Sequence, residues 1–428
     1  MEGEEIQRPL AGVQTLSLFA GAGGLDYGFH EAGAELVCAY ETNASALLTY
    51  ARNFAKEPRH ERAETAGTLA SEQSVDLILA GPPCQGFSNI GKRDVDDPRN
   101  SGLLATAGVL ARLRPQAFVV ENVRGLLSLA GGTWLQRFKD IIAGAGLHLR
   151  VVKADSSHLG VPQRRRRVFL VGGQGRIGSE FASVAESSLR PAGELVVRTV
   201  GDVLLPVSSF EGLPNHRPAA VQTEWYRRVI KRIGPGQKLC DTRLGDSSVH
   251  SWDLPEVFGA TSSSERELLR GLARLRRSEV GRDYAHIGDG RPVRLEALST
   301  RLNIGSSEVR RLCDRLAEAE FIRYSGTDFV DLKRKFNGRF KRLSADRPSQ
   351  AVVKEFAHAR NVLHPTEDRA LTVRECAALQ TFPSDFVFVG SKSEQYSQVA
   401  NAVPPRVSCV LAAALAKVVL SRGNVGAA

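Results

Sequence analysis

The stretch Leu16-Ser17-Leu18-Phe19-Ala20-Gly21-Ala22-Gly23-Gly24 is a short apolar strand that continues directly into a glycine-rich turn. Glycine lets the backbone approach a ligand closely at the point where a helix begins. Glu41 follows about 20 residues later, at the end of a second apolar segment, where a carboxylate can accept hydrogen bonds from ribose hydroxyls. The spacing is not GxGxxG, so the stretch alone leaves two interpretations open: a nucleotide-like cofactor site or a tight structural turn.

Apolar, strand-like segments alternate with helical segments as far as Gly172. The predicted strands are Leu16–Phe19, Glu35–Tyr40, Val75–Ala80, Ala117–Val120 and Val168–Val171, and the predicted helices include Leu103–Leu113 and Trp134–Ala145. Strands separated by helices predict an α/β fold with a parallel, doubly wound sheet. Ligands of such sheets bind beyond the carboxyl ends of the strands, which is where the glycine-rich turn lies.

The pattern changes after Gly172, and residues 173–262 are rich in loops. From Ser264 onward the periodicity predicts a helix, a second helix, a turn, a third helix and a strand pair. These parts are Glu265–Arg277, Leu295–Leu302, Asn303-Ile304-Gly305, a helix that Ser306 caps, and Phe321–Lys333. This order is typical of a helix-turn-helix followed by a wing.

Composition excludes some classes of protein and favours others. The chain has 428 residues, of which 42% are hydrophobic, which is typical of a globular protein of two or three domains. We expect no membrane span, because no run of about 18 apolar residues occurs, and no secretory signal at the acidic start Met1–Glu5.

The six cysteines form no CxxC pair, which favours a reducing cytosol over a zinc site or disulfides. The net charge of +10 favours polyanionic partners, although solubility alone can require it.

The segment Gly81-Pro82-Pro83-Cys84-Gln85-Gly86-Phe87-Ser88 directly follows the third predicted strand. Each proline fixes its own φ angle and so stiffens the approach to the cysteine, which we expect on a loop at the ligand edge of the sheet. A thiol with a pKa of ~8.5 is only slightly ionised at neutral pH, so a nucleophilic cysteine needs activation or a polarised electrophile. The alternative is a buried structural cysteine.

Two further polar segments border predicted strands. Glu121-Asn122-Val123 follows the fourth strand, where a carboxyl group either hydrogen-bonds a substrate or caps a helix. Val161-Pro162-Gln163-Arg164-Arg165-Arg166-Arg167 precedes the fifth strand. In an extended segment alternate side chains point to opposite faces, so Arg165 and Arg167 would share one face. A basic run can also be a solvated surface.

Taken in order, these segments resemble the cytosine-5 DNA methyltransferase family. The resemblance rests on Phe19–Gly24, Pro82-Pro83-Cys84-Gln85, Glu121-Asn122-Val123, Gln163 with Arg165 and Arg167, Arg342-Leu343 to Pro348-Ser349, and Asn401-Ala402-Val403-Pro404-Pro405. It covers about 1–172 and 342–410. It implies a Rossmann-like, S-adenosylmethionine-dependent methyltransferase domain and a second, smaller DNA-recognition domain.

The resemblance also implies a role for each catalytic residue. Cys84 would attack carbon 6 of a cytosine that has been flipped out of the duplex. Glu121 would contact ring nitrogen 3 and the exocyclic amine, and Arg165 would hold the base carbonyl oxygen. Arg167 would help to organise the site, and the reaction would need no metal.

By the same resemblance, S-adenosylmethionine would bind with Phe19 near the adenine, Glu41 on the ribose and Asn401 near the methionine end. The full set of cofactor candidates is Phe19, Gly21, Gly23, Gly24, Leu25, Glu41, Thr42, Thr68, Pro83, Leu103 and Asn401. The sequence departs from the family pattern at Thr68, where an aspartate is usual, at Thr42, where an aromatic residue is common, and at Ala400, where glycine is usual.

In this family the region between the arginine segment and Arg342 reads the DNA. We therefore predict a catalytic domain at residues 1–185, completed by 394–428, and a target-recognition domain at 186–393 that contains a winged helix-turn-helix-like insert at 264–338. The candidate DNA contacts are Gln85, Ser88, Arg310, Arg311 and Arg315. The last three lie on the helix after Ser306, whose apolar residues are spaced to pack inward. The alternative is that this insert only supports the fold.

The resulting expectation is a bacterial-type modification methylase, belonging to a restriction-modification system or acting alone. It would be a monomer that acts on duplex DNA in the cytoplasm, at the nucleoid. A cognate restriction endonuclease would be a functional rather than a physical partner. Methylation of tRNA is a second possibility, against which the large variable region argues. A DNA-binding regulator with an inactive site is a third, against which Cys84, Glu121 and Arg165 argue.

Overall fold

The computed structural model describes residues 8–56, 58–61, 74–83, 101–191, 197–278, 292–334 and 336–423. The chain forms two compact units. The first unit consists of Met1–Arg217, Ala345–Lys354 and Thr372–Ala428, and the second consists of Pro218–Ser344 and Glu355–Leu371. These units are defined by contacts, and the functional division of the sequence at residues 185 and 394 stays a prediction.

The strands and helices below are those of the described residues. The strands are β1 Gln14–Leu18, β2 Glu35–Tyr40, β3 Leu77–Ala80, β4 Ala117–Val123, β5 Leu147–Asp155, β6 Gln163–Arg164, β7 Arg166–Gln174, β8 Lys238–Cys240, β9 Ser248–Val249, β10 Val293–Arg294, β11 Ile322–Tyr324, β12 Phe329–Leu332, β13 Asn337–Arg339, β14 Lys341–Arg342, β15 Ser349–Gln350 and β16 Val362–Leu363. The α-helices are α1 Tyr27–Glu31, α2 Ala44–Phe54, α3 Ser101–Leu113, α4 Thr133–Gly144, α5 Gly175–Leu189, α6 Gly201–Leu204, α7 Glu224–Ile230, α8 Pro255–Phe258, α9 Ser263–Ser278, α10 Leu295–Leu302, α11 Ser306–Glu318, α12 Val373–Leu379, α13 Lys392–Asn401 and α14 Pro405–Gly423. Single 3₁₀ turns lie at Arg124–Leu127, Leu129–Gly132, Ser156–Leu159, Val207–Phe210, Ser251–Asp253 and Lys354–Ala357.

The first unit is built on a six-stranded sheet in the order β2-β1-β3-β4-β7-β5. Strands β1 to β4 pair in parallel, which confirms the predicted α/β class. The expectation of a wholly parallel sheet is wrong, because β7 runs antiparallel to both β4 and β5. The short connection from β5 to β7 reverses the chain, whereas a parallel pair would need a crossover of a dozen residues or more.

Helices cover both faces of this sheet. On one face, Phe29 of α1, Phe181 of α5 and Leu411 of α14 belong to a single buried cluster with the sheet residue Val171. On the other face, α3 and α4 bury their apolar residues against Leu16 and the other sheet residues of a second cluster. Both layers hold the carboxyl ends of β1 to β4 in fixed positions.

The helical stretch Lys392–Ser421 is long and apolar enough, by length and composition, to cross a membrane, and 61% of its apolar window is buried within the protein. Its second half, α14, packs on α1 and α5 in the core of the first unit. Core packing therefore explains the apolar character of this helix, because buried core helices can be equally long and apolar.

The second unit contains three helices and a small sheet in the region where the sequence predicts a helix-turn-helix. Helices α9, α10 and α11 pack together, and β10, β12 and β11 form a three-stranded antiparallel sheet. The N-cap of α11 is Gly305 and not Ser306, and no side chain caps this helix. The strand pair predicted at 321–333 is present, and β10 is a third strand that the sequence pattern did not indicate.

Arg342 holds several loops of the second unit together. Its buried guanidinium donates to the carbonyl oxygens of Ile230 at 3.1 Å, Ile233 at 2.6 Å, His364 at 3.1 Å and Glu367 at 2.8 Å, and to the Asp368 carboxylate at 2.6 Å. A buried guanidinium with fewer acceptors would destabilise the fold, so this set of contacts explains why arginine stands here.

Gly28 is the point at which α1 meets α14. A Cβ atom on Gly28 would lie 2.2 Å from the Cys409 nitrogen and 2.4 Å from the Ser408 carbonyl carbon. We expect Gly28→Ala to lower the free energy of unfolding by at least about 1–3 kcal/mol, because backbone cannot move aside as a side chain can. Urea unfolding would measure this change.

Gly108 provides the matched control. It is an exposed glycine inside α3, and a Cβ atom there would meet no atom within 4 Å. Gly108→Ala should stabilise the protein by about 0.5–1 kcal/mol, because alanine loses less backbone entropy in a helix. A Gly28→Ala protein as stable as the wild type would contradict the packing described here.

Candidate active site

A cavity of about 770 Å³ lies beyond the carboxyl ends of β1, β2 and β3 in the first unit. Its size is within the usual range for small-molecule sites. The described residues that line it are Ser17–Ala22, Gly24–Asp26, Glu41–Asn43, Ser45, Ala46, Ala80–Pro83, Ser101, Gly102, Glu121, Arg165, Arg167, Glu394, Ser397, Gln398 and Ala400–Val403. The cavity thus brings together four segments that are distant in sequence. They are the glycine-rich turn, the Glu121 segment (Glu121-Asn122-Val123), the arginine segment (Val161–Arg167) and the Asn401 segment (Asn401–Pro405).

The glycine-rich turn needs its glycines for two reasons. Gly21 and Gly23 have φ angles of +57° and +85°, in the left-handed region that glycine adopts without strain. At Gly24 a Cβ atom would lie 2.3 Å from the carbonyl oxygen of Val403, which also lines the cavity. The turn is therefore both a tight structural turn and a wall of the cavity, and the two interpretations of this stretch are compatible.

Glu41 is fixed by backbone hydrogen bonds. Its carboxylate accepts from the Gly21 nitrogen at 2.9 Å, the Thr42 nitrogen at 2.7 Å and the Asn43 nitrogen at 2.8 Å. A carboxylate offers about four acceptor positions, so some acceptor capacity remains towards the cavity. This arrangement does not require an aromatic residue at position 42, because only the backbone nitrogen of Thr42 binds Glu41.

Glu121, Arg165 and Arg167 lie on the same wall of the cavity. The Arg167 Nε atom lies 2.9 Å from Glu121 Oε1, and Arg165 is 2% exposed. The alternation predicted for the arginine segment is present, because Arg164 and Arg166 point to solvent. Glu121 lies within β4, and the following 3₁₀ turn is capped at Val123, so Glu121 is not a helix cap.

Asp26 is a cavity residue that the sequence pattern did not indicate. Burial raises its carboxyl pKa to about 6, while the hydroxyl groups of Ser17 and Tyr50 partly stabilise the charged form. Desolvation outweighs these two neighbours because a carboxylate loses most of its hydration inside the protein. The sequence signal that could have identified Asp26 is its position, as an acidic residue directly after a glycine-rich turn and among apolar neighbours.

Two buried glutamines connect the arginine segment to the Asn401 segment. The Gln163 amide donates to Gln380 Oε1 at 2.6 Å, and the Gln380 amide donates to the Val399 carbonyl oxygen at 2.7 Å. The Val352 nitrogen donates to Gln163 Oε1 at 3.0 Å, which fixes the orientation of the first amide. Gln380 follows α12, a helix that the sequence pattern did not indicate, although Thr372 and Glu375 form a capping box at its start.

The remaining cofactor candidates are distributed in three ways. Phe19, Leu25, Thr42, Pro83 and Asn401 line the cavity. Leu103 is fully buried in the core, and its neighbour Gly102 lines the cavity in its place. Gly23 lies behind the wall, against the ring of Phe54.

Several predicted site residues lie outside the described residues: Cys84, Gln85, Ser88 and Thr68. The peptide that leads to Cys84 is nevertheless held in place, because the Asn122 amide donates to the Pro82 carbonyl oxygen at 3.3 Å. Among the residues that the structure describes, no three His, Cys, Asp or Glu side chains form a group that could hold a metal ion. Metal independence stays a prediction.

The three arginines predicted to contact DNA are each paired within the second unit. Arg310 Nη2 lies 3.0 Å from Asp328, Arg311 Nη2 lies 2.6 Å from Glu308, and Arg315 Nε lies 3.4 Å from Glu265 of α9. All three side chains are about half exposed or more, as the sequence pattern indicates. The carboxylates nevertheless balance their charge.

The sequence model of the C-5 cytosine-specific DNA methylase family matches residues 13–238 and 273–417. The chain belongs to this family. A type II methyltransferase from Thalassovita gelatinovora, M.AgeI, is 31% identical over 94% of this chain and 98% of its own length. M.BanI from Aneurinibacillus aneurinilyticus is 30% identical over 92% of this chain and 94% of its own. The protein is thus an enzyme of the DNA (cytosine-5-)-methyltransferase class.

Solved structures support the same fold for the methylase. An E. coli protein described as a DNA modification methyltransferase encoded within a prophage aligns with a TM-score of 0.55 and 21% identity, over 95% of this chain and 99% of its own. The Dnmt2 methyltransferase of S. pombe aligns with a TM-score of 0.53 and 15% identity, over 96% and 99%. At these identities the likeness concerns the fold.

The raised pKa of Asp26 makes the stability of the methylase depend on pH. Between about pH 4 and 6 the unfolded chain has released this proton while the folded protein retains it, so stability falls as pH rises through that window. Asp26→Asn removes this dependence. We expect the variant to gain on the order of 3 kcal/mol relative to the wild type between pH 4 and pH 7.5.

Urea unfolding at several pH values would measure this difference. Asp140→Asn, at an exposed carboxyl group of α4, serves as the control for the replacement of an aspartate by asparagine. An Asp26→Asn protein whose stability difference is constant from pH 4 to pH 7.5 would show that the carboxyl group titrates normally.

Proposed function

We propose that this protein transfers a methyl group from S-adenosylmethionine to carbon 5 of one cytosine within a specific duplex DNA sequence. The observation that carries the proposal is the shared cavity, which is lined by the glycine-rich turn together with Glu121, Arg165 and Arg167. The type II methyltransferases among its relatives support a role as the modification enzyme of a restriction-modification system, or as a methylase without a partner nuclease. Action as a monomer on cytoplasmic DNA fits such a role.

The residues that line the cavity fit S-adenosylmethionine. Glu41 retains acceptor capacity for ribose hydroxyls, and the Phe19 ring lies beside Gly102 and Pro83, where it can pack on the adenine. Asn401 also lines the cavity, and it would lie near the methionine end of the cofactor. When bound, the cofactor supplies an electrophilic methyl group carried on a sulfonium.

Cys84 is the proposed nucleophile. Its thiolate adds to carbon 6 of the cytosine, the new carbon–sulfur bond forms, and the ring electrons shift so that carbon 5 becomes enamine-like. After carbon 5 has gained the methyl group, a base removes its proton and the carbon–sulfur bond breaks, which restores the ring and the thiolate. A stacked base cannot reach the cavity, so the cytosine must first be flipped out of the duplex.

Glu121 and the arginines stabilise this adduct. The Glu121 carboxyl group would hydrogen-bond ring nitrogen 3 and the exocyclic amine, where charge develops as carbon 6 is attacked. The ion pair with Arg167 orients this carboxyl group. Arg165, buried on the same wall, would hold the base carbonyl oxygen.

Residues 186–393 are proposed to select the DNA sequence, with a winged helix-turn-helix formed by α9, α10, α11 and the β10-β12-β11 sheet. The order of these elements supports this assignment. In such a motif the third helix enters the major groove, so α11 with Arg310, Arg311 and Arg315 is the proposed reader. Gln85 and Ser88 would contact the DNA near the flipped base.

Replacement of Cys84 tests the covalent mechanism. Cys84→Ala should abolish methyl transfer and leave cofactor binding nearly intact, because the sulfur takes part only in the chemical step. Wild-type protein should be trapped covalently on duplex DNA containing 5-fluorocytosine, since fluorine cannot leave as a proton does. Bisulfite sequencing and denaturing gels would measure the two outcomes, and turnover by Cys84→Ala at the wild-type rate would overturn the mechanism.

Replacement of Glu121 and Arg165 tests the stabilisation of the adduct. Glu121→Gln should lower the single-turnover rate by about 10²-fold or more with little change in duplex affinity. Arg165→Ala should also lower the rate, whereas the control Arg164→Ala, at an exposed neighbour, should not. Equal rates for Glu121→Gln, Arg165→Ala and the wild type would show that these residues do not contact the base.

A further inference from the structure

Helix α9 (Ser263–Ser278) has one buried face and one strongly basic exposed face. Its apolar residues, Leu268, Leu269 and Leu272 among them, belong to the core of the second unit. Arg270, Arg274 and Arg277 are exposed and follow one another at intervals of four and three residues. Residues at these intervals lie on the same side of a helix, so the three guanidinium groups form a stripe, called here the α9 arginine face.

The charge of the α9 arginine face is only weakly balanced. Asp253 lies 3.9 Å from Arg270, and no other described residue makes an ion pair with the three arginines. Glu267 is an acidic residue on the same side of the helix. The face therefore carries a positive excess, in contrast to α11, where each of the three arginines has its own carboxylate partner.

The helix that carries this face is held rigidly. Arg276, on the opposite side of α9, is 1% exposed and forms an ion pair with Asp331 of β12 at 2.6 Å. This buried pair and the leucine contacts fix the rotation of α9 about its own axis. The arginine face is thus presented to solvent in a defined orientation.

The α9 arginine face is long enough to span two or three phosphates of duplex DNA. Seven residues of helix separate Arg270 from Arg277, which corresponds to about 10 Å at 1.5 Å per residue. Along one strand of B-DNA, successive phosphates rise by about 3.4 Å. The face can therefore meet two or three phosphates of one strand, and guanidinium groups bind phosphate with good geometry.

We propose that the α9 arginine face is the phosphate-anchoring surface of the second unit and that it binds the backbone of duplex DNA. The inference rests on the proposed function, since it assigns a second role within the DNA-recognition unit. Phosphate contacts hold a protein in register on the duplex without reading its sequence. The anchor and the reader are then different helices, and α11 contributes little to the salt dependence of binding because its charges are balanced.

The salt dependence of DNA binding tests this assignment. The full-length triple variant R270Q/R274Q/R277Q would be compared with R310Q/R311Q/R315Q, since glutamine retains helix propensity and removes the charge. The affinity of each protein for a duplex of random sequence would be measured by fluorescence anisotropy from about 50 to 200 mM salt. A random duplex suffices because phosphate contacts do not depend on the target site.

We expect the α9 variant to bind more weakly and to lose about two to three units from the slope of log affinity against log salt, at about 0.9 per phosphate. The α11 variant should keep the wild-type slope. The α9 variant should also keep the wild-type circular dichroism spectrum and urea-unfolding midpoint, which shows that it is folded. If the triple variant fails to fold, the single variants Arg270→Gln, Arg274→Gln and Arg277→Gln should each remove about one unit.

The assignment would be overturned if the α9 variants kept the wild-type salt slope, or if the α11 variant lost more of that slope than the α9 variant. The α9 arginine face would then bind another acidic partner or contribute only to solubility. Such a result is distinct from failure of the proposed function. That failure would appear in the wild-type protein, as an absence of 5-methylcytosine in duplex DNA after bisulfite sequencing.

Discussion

The close approach of Gly24 to the Val403 carbonyl oxygen is the contact on which the cavity depends. It joins a turn near the start of the chain to a segment near its end, and at Gly24 no Cβ atom fits between them. The same two regions meet again a few residues further on, where the Gly28 nitrogen donates to Ser408 Oγ at 2.9 Å. The C-terminal segment thus completes the first unit, and the cavity exists only when the two parts of the chain have docked.

The charges of the cavity are arranged so that few of them can move. Glu41 is held by three backbone nitrogens, and Glu121 is held by Arg167. Fixed charges need no reorganisation during a reaction, and this is the main way in which enzymes stabilise developing charge. Asp26 differs from these, because burial and not a charged partner sets its protonation. Its carboxyl group imposes a cost in stability at neutral pH, which is a common feature of residues near functional sites.

The sequence predicted the parts of the site that depend on local periodicity. Arg165 and Arg167 share a wall because alternate residues of an extended segment face the same side, and Glu41 lies at a strand end as the apolar run indicated. Strand β5 was missed because its buried residues alternate with exposed His148, Arg150 and Lys153, as an edge strand allows. The Gln163–Gln380 contact could not be predicted, because it joins residues 217 positions apart. The partners of the α11 arginines depend on such tertiary placement as well.

Arginine takes three roles in the second unit, which differ in burial and in ion-pair partners. Arg342 donates to backbone carbonyl oxygens from distant loops, and Arg276 pairs with Asp331; both are buried. These two are structural, because a buried guanidinium that exchanged its partners for phosphate would leave unsatisfied groups behind it. Arg310 and Arg311 of α11 pair with carboxylates whose side chains are 72% and 37% exposed, and loss of such partners costs little. Under the proposed function these two arginines can exchange a carboxylate for a base edge. Only an arginine with no close carboxylate attracts a polyanion from a distance, because a balanced pair has little field beyond its own contact. If the second unit binds DNA as proposed, the distribution of partners, more than the number of arginines, decides which of its surfaces meets DNA first.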